Sequence, residues 1–165
     1  KVLTQAQIDA YHRDGFLTPV TVMSEAEALG YRERLEAAEA AWPEAMQGAN
    51  RNNAHLNITV LDELTHHPAI LDAVEDILGP DLLICGTVPF IKEAREPGFV
   101  SWHRDAKYMG VGPDEDATTI RPALAPSTPG RRCRCMGSGT HPAGMRDDRD
   151  RKVEGSIRTR GDAEH

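Results

Sequence analysis

All eight aromatic side chains of this 165-residue chain lie at or before Tyr108. From Gly112 to His165 the only large aliphatics are Ile120, Leu124, Val153 and Ile157, joined by Met136 and Met145. Charge divides at the same place. Residues 1–111 hold 9 basic and 17 acidic side chains and residues 112–165 hold 10 and 9, so the net charge of −7 originates in the first part. Ordering a backbone costs about 1–2 kcal/mol per residue, which burial of apolar area must offset. Six scattered apolar side chains over the last 54 residues cannot supply that. Residues 1–111 are therefore expected to fold, and residues 112–165 are expected to be loop or disorder.

The averages still exclude some classes. An acidic chain lacks the basic stripe of a nucleic-acid binder. No apolar run approaches the roughly 20 residues of a membrane helix, so no membrane partner is expected. Cys85, Cys133 and Cys135 are too few for a disulfide scaffold and lack the paired spacing of a zinc site. Free thiols in a reduced, cytoplasmic setting are the expectation. The chain opens at Lys1, so the native start is expected upstream.

Local signals divide the first part into elements. Thr4-Gln5-Ala6-Gln7 reads as a capping box, with Ile8 and Tyr11 on one face of the helix and Gly15 placed to end it. Ser24-Glu25-Ala26-Glu27 reads as a second box, opening a helix that runs toward Trp42 and stops at Pro43. Pro68 begins a third helix whose stripe of Ile70, Leu71, Val74, Ile77 and Leu78 is core packing, closed by Gly79-Pro80. Leu82–Cys85, Val88–Ile91 and Phe99–His103 then read as strands. Short helices followed by strands, without βαβ alternation, predict an α+β or helix-decorated β architecture.

The chemistry lies at the end of the last strand. Alternation puts Phe99, Ser101, His103 and Asp105 on one side if the strand persists to Asp105. An imidazole and a carboxylate facing one way can supply two ligands of a 2-His-1-carboxylate iron(II) triad. Alone this is a weak signal, since a surface His near an Asp is common. Of the other histidines, His66-His67 reads as a helix N-terminus, and His55 with Asn52, Asn53 and Asn57 reads as a polar loop at a pocket rim. His141 and His165 read as solvated. Gly137-Ser138-Gly139 lacks the lysine of a phosphate loop, and Arg131, Arg132 and Arg134 are offset by Asp147, Asp148 and Asp150.

The stretch Phe90-Ile91-Lys92, Pro97-Gly98-Phe99-Val100-Ser101-Trp102-His103-Arg104-Asp105-Ala106 and Tyr108 resembles the phytanoyl-CoA dioxygenase family. So do Leu3 to Leu17, with its Asp14-Gly15-Phe16 turn, and His67 to Pro80. The resemblance implies a double-stranded β-helix (jelly-roll, cupin-like) core, present here in part, with the N-terminal helices packed on it. It implies a dioxygenase that uses Fe(II) and 2-oxoglutarate to hydroxylate a small organic substrate, with succinate and CO2 as co-products. His103 and Asp105 would be the first two iron ligands, and Lys92 with Val88–Ile91 would edge the co-substrate pocket. On this reading residues 1–111 carry the helices, the first jelly-roll strands and the His-x-Asp motif.

Residues 112–165 would then be a degraded or poorly ordered continuation of the jelly roll. Ala123–Pro129, Ser138–His141 and Thr159–Gly161 still resemble family segments, but Arg121-Pro122 stands where the family usually has a Trp and an aliphatic residue. Gly130-Arg131-Arg132-Cys133 replaces its usual Glu-Asn-Gly-Cys loop. The family's distal His ligand and its 2-oxoglutarate-binding Arg would lie beyond His165. The rival expectation is a non-catalytic fragment or remnant with an incomplete iron site.

Overall fold

The first helix, α1 (Gln5–Asp14), forms as its capping box predicts. In this computed structural model, which describes residues 1–91, 105, 117–126, 128, 136 and 138, the Gln7 amide donates to Thr4 Oγ1 at 3.3 Å. Gln7 Oε1 in turn accepts from the Thr4 amide at 2.9 Å. Both orphan amides of the first turn are thereby satisfied. Gly15 ends the helix at φ 81°, a left-handed conformation that costs glycine little. Ile8 is buried beneath α1, while Tyr11 is half-buried.

The second helix, α2 (Glu25–Ala41), keeps half of its expected box. Ser24 Oγ accepts from the Glu27 amide at 3.2 Å. The Glu27 carboxylate reaches away to His67 Nε2, also at 3.2 Å. A long-range partner has replaced the local one. Tyr31, Leu35 and Ala38, one helical face at spacings of four and three, pack on a buried cluster of Met46, Ala54, Ile58 and Val60. Trp42 and Pro43 stop the helix as expected, and Trp42 stays exposed.

That cluster comes from a stretch with no predicted element. Single 3-10 turns at Pro43–Met46, Gly48–Arg51 and Ala54–Leu56 lead into α3 (Thr59–Thr65). Asn53 supports the reversal with φ 57°, which asparagine tolerates better than most residues. Arg34 of α2 forks onto both Glu63 carboxylate oxygens of α3 at 2.6 and 2.7 Å. That hydrogen bond holds the Glu63 carboxyl below its usual range. The pair is exposed, so it orients the helices more than it stabilises them.

The helix α4 (Pro68–Leu78) begins at Pro68 and ends at Gly79, as predicted. The His67 carbonyl accepts from the Ile70 and Leu71 amides at 3.0 Å each, so His66-His67 does form a helix start. Ile70 is buried, but Leu71, Val74, Ile77 and Leu78 are only half-buried. Asp76 on α4 accepts from the Val2 and Leu3 amides at 2.7 and 2.8 Å, pinning buried Leu3 beside the helix. These bonds, Leu3's foremost, hold the Asp76 carboxyl below its usual range.

Residues 82–91 depart from expectation. Both predicted strands there are irregular, and Leu83, Val88 and Phe90 are exposed. The described residues contain helices and no strand. A strand exists only through a neighbour's ladder. The expected strand Phe99–His103, the next such neighbour in sequence, lies outside the described residues. So does most of the expected continuation over 112–165.

Candidate functional site

Two chain segments meet at Asp105. Its carboxylate Oδ2 accepts a hydrogen bond from the Arg121 guanidinium Nη2, forming an ion pair. The Asp105 side chain is 27% exposed and that of Arg121 34%, so the pair is partly withdrawn from water. Partial withdrawal raises the effective attraction above that of a fully solvated pair. Asp105 itself has helical backbone. Strand alternation, expected to set the direction of its carboxylate, does not apply at that residue.

Arg121 is positioned by its neighbours in sequence and by α1. Pro122 follows it, and a residue before proline is restricted toward extended backbone. Three residues earlier, Thr118 Oγ1 accepts from the Tyr11 hydroxyl at 3.0 Å. Farther along, Ser138 Oγ donates to Asp14 Oδ1 at 2.8 Å. The C-terminal half of α1 thus anchors two points of the chain beyond the His-x-Asp motif. The Tyr11 hydroxyl supplies one anchor, beyond the helix face on which the sequence places its ring, and the Asp14 carboxylate supplies the other.

A second polar cluster joins the helical corner to residues 82–91. The Asn53 amide donates to the Thr87 carbonyl at 2.7 Å, and the Thr87 amide donates to Asn53 Oδ1 at 3.2 Å. His55 Nδ1 and Thr87 Oγ1 lie 2.6 Å apart and share a hydrogen. Asn53 and His55 of the expected polar loop thus hold Thr87, the residue just before Val88–Ile91. Gly86 sits close by: a Cβ there would come 3.0 Å from Asn53 Oδ1.

The His67 side chain is 10% exposed and packs edge-on against Tyr31, with ring centroids 6.2 Å apart. Nε2 meets Glu27, while Nδ1 is buried without a hydrogen-bond partner among the described residues. Its place between α2 and α4 is structural. Cys85 is a free, exposed thiol, as expected.

Of the two expected iron ligands, Asp105 is placed and His103 lies outside the described residues. Lys92, Cys133, Cys135, His141 and His165 also lie outside them. No group of three or more His, Cys, Asp or Glu residues that could hold a metal ion occurs among the described residues. The one expected donor present, the Asp105 carboxylate, faces a guanidinium cation. A carboxylate oxygen suits iron(II), but the described residues do not make up a metal site. Among them, too, no helix is long and apolar enough to cross a membrane.

No curated protein and no solved structure matches the chain. A family model does: that of phytanoyl-CoA dioxygenase (PhyH), over residues 11–163. The match spans the His-x-Asp motif and continues to residue 163, through the segment expected to be a degraded continuation. This chain belongs to the phytanoyl-CoA dioxygenase family.

Proposed function

We propose that the protein is an Fe(II)- and 2-oxoglutarate-dependent dioxygenase that hydroxylates a small organic substrate and releases succinate and CO2. The family match across residues 11–163 carries this reading. His103 and Asp105 are the proposed iron ligands, and 2-oxoglutarate the co-substrate. The bound metal would supply oxygen activation. This chain's part is to hold substrate and co-substrate in place and to keep competing reactions out. The clasp of Asn53 and His55 on Thr87 gives residues 82–91 a fixed point for that role.

The proposed fold for residues from Leu82 onward is the jelly roll. Its support is the family match, together with exposed Leu83, Val88, Phe90 and Ile91, apolar side chains that neighbouring strands would cover. One observation favours a second reading, a non-catalytic remnant: the Asp105 carboxylate is paired with Arg121 rather than free for a metal. Incubation in air with Fe(II) and 2-oxoglutarate separates the two. Succinate accumulating in the native chain and falling to background in Asp105→Ala supports the dioxygenase. Succinate at background in both supports the remnant.

A further inference from the structure

We infer that Arg121 is a built-in competitor for the metal position at Asp105. The inference rests on the proposed iron-ligand role of Asp105 but concerns a residue to which the family pattern gives no such role. Arg121 stands where the family usually has a Trp. Its guanidinium hydrogen-bonds Oδ2 of the carboxylate that a metal would need. A carboxylate oxygen that accepts a guanidinium N–H has its lone pair directed at hydrogen. A dication brought to the same oxygen also meets a fixed positive charge at hydrogen-bond range. Metal binding therefore requires Arg121 to swing away.

The surroundings fit a displaceable competitor. Pro122 restricts the backbone at Arg121, and the Tyr11–Thr118 hydrogen bond holds the segment against α1. The backbone of Arg121 is thus held near Asp105, while its side chain, 34% exposed, is only partly withdrawn from water. A Trp in that place would present no charge to the carboxylate. Arg121 accordingly lowers metal affinity without abolishing it. Partly exposed ion pairs shift such equilibria by up to about fivefold, and relief of cation–cation repulsion adds to that. Removing Arg121 is expected to tighten metal binding by about three- to tenfold.

The test is Mn(II) binding to the 165-residue chain, followed by the loss of the free-ion electron paramagnetic resonance signal. Arg121→Gln is expected to tighten Mn(II) about three- to tenfold, and Arg121→Lys, which keeps the charge but not the planar fork, to fall between it and the native chain. Asp105→Asn should remove the gain in the Arg121→Gln background. Arg32→Gln, which removes an equal charge on α2, should leave affinity unchanged. Equal affinity in the native chain and Arg121→Gln, or equal tightening by Arg32→Gln, would overturn the inference and leave the iron-site proposal standing. No Mn(II) binding by any variant would overturn both.

Discussion

Leu56 and Ile58 are two residues apart and chemically alike, yet the structure assigns them opposite energetic roles. Leu56 is 73% exposed at the end of a 3-10 turn, and Ile58 is 5% exposed in the cluster under α2. Ile58→Ala removes three buried carbons, a transfer loss of about 2.4 kcal/mol at about 0.8 kcal/mol per buried methylene. The residual cavity raises the total to about 3 kcal/mol. Leu56→Ala uncovers almost nothing and should stay within about 0.5 kcal/mol of the native chain. Urea denaturation followed by helical circular dichroism reads both. With an m value of about 2 kcal/mol/M, Ile58→Ala should lower the midpoint by about 1.5 M and Leu56→Ala by less than about 0.3 M. Equal shifts for the two would refute the placement of the 3-10 turn and α3.

Asp76 carries a pH dependence with a definite sign. Its folded-state pKa is depressed by the Leu3 and Val2 amides. Its stabilisation is therefore complete above the unfolded carboxylate value of about 3.9 and is lost as pH falls through the lower folded value. Asp76→Asn should speed amide exchange at Val2 and Leu3 at neutral pH, and the difference from the native chain should shrink in strong acid. A difference that is constant with pH would contradict the assignment. At Gly86, substitution by Ala should push the Asn53 side-chain oxygen Oδ1 off the Thr87 N–H, because the new Cβ would lie 3.0 Å from it. The Thr87 amide should then exchange faster, at a stability cost of about 1 kcal/mol; unchanged protection would show that Asn53 yields without letting go.

Local signals were legible where both members of an interaction sit within one helical turn. Thr4 with Gln7, Gly15, Pro68 and Gly79 all act where the sequence places them. Glu27 shows the limit: its spacing from Ser24 predicts a capping box, but His67, forty residues on, takes its carboxylate. The β-branched run Ile58-Thr59-Val60 disguises helix α3. The spacing of Ile58, Leu61 and Leu64 was its available signal. The strands read at Leu82–Cys85 and Val88–Ile91 rested on side-chain composition, whereas strand structure depends on a neighbouring backbone.

The candidate site was legible only as a motif. His-x-Asp is visible at 103–105, and the family match spans it. The ion pair at Asp105 joins residues sixteen apart and depends on the path of the chain between them. No periodicity encodes such a contact. The departure from the family pattern at Arg121-Pro122 is the signal in the sequence, and its consequence is the guanidinium on the Asp105 carboxylate.

The most direct measurement is an anaerobic titration of the chain with Fe(II) and 2-oxoglutarate, observed in the visible region. An Fe(II) site that chelates the 2-oxo acid gives a weak charge-transfer band. The dioxygenase account predicts that this band appears in the native chain, saturates with 2-oxoglutarate, and is lost in Asp105→Ala. No band at saturating metal and co-substrate, or a band that survives Asp105→Ala, would contradict it.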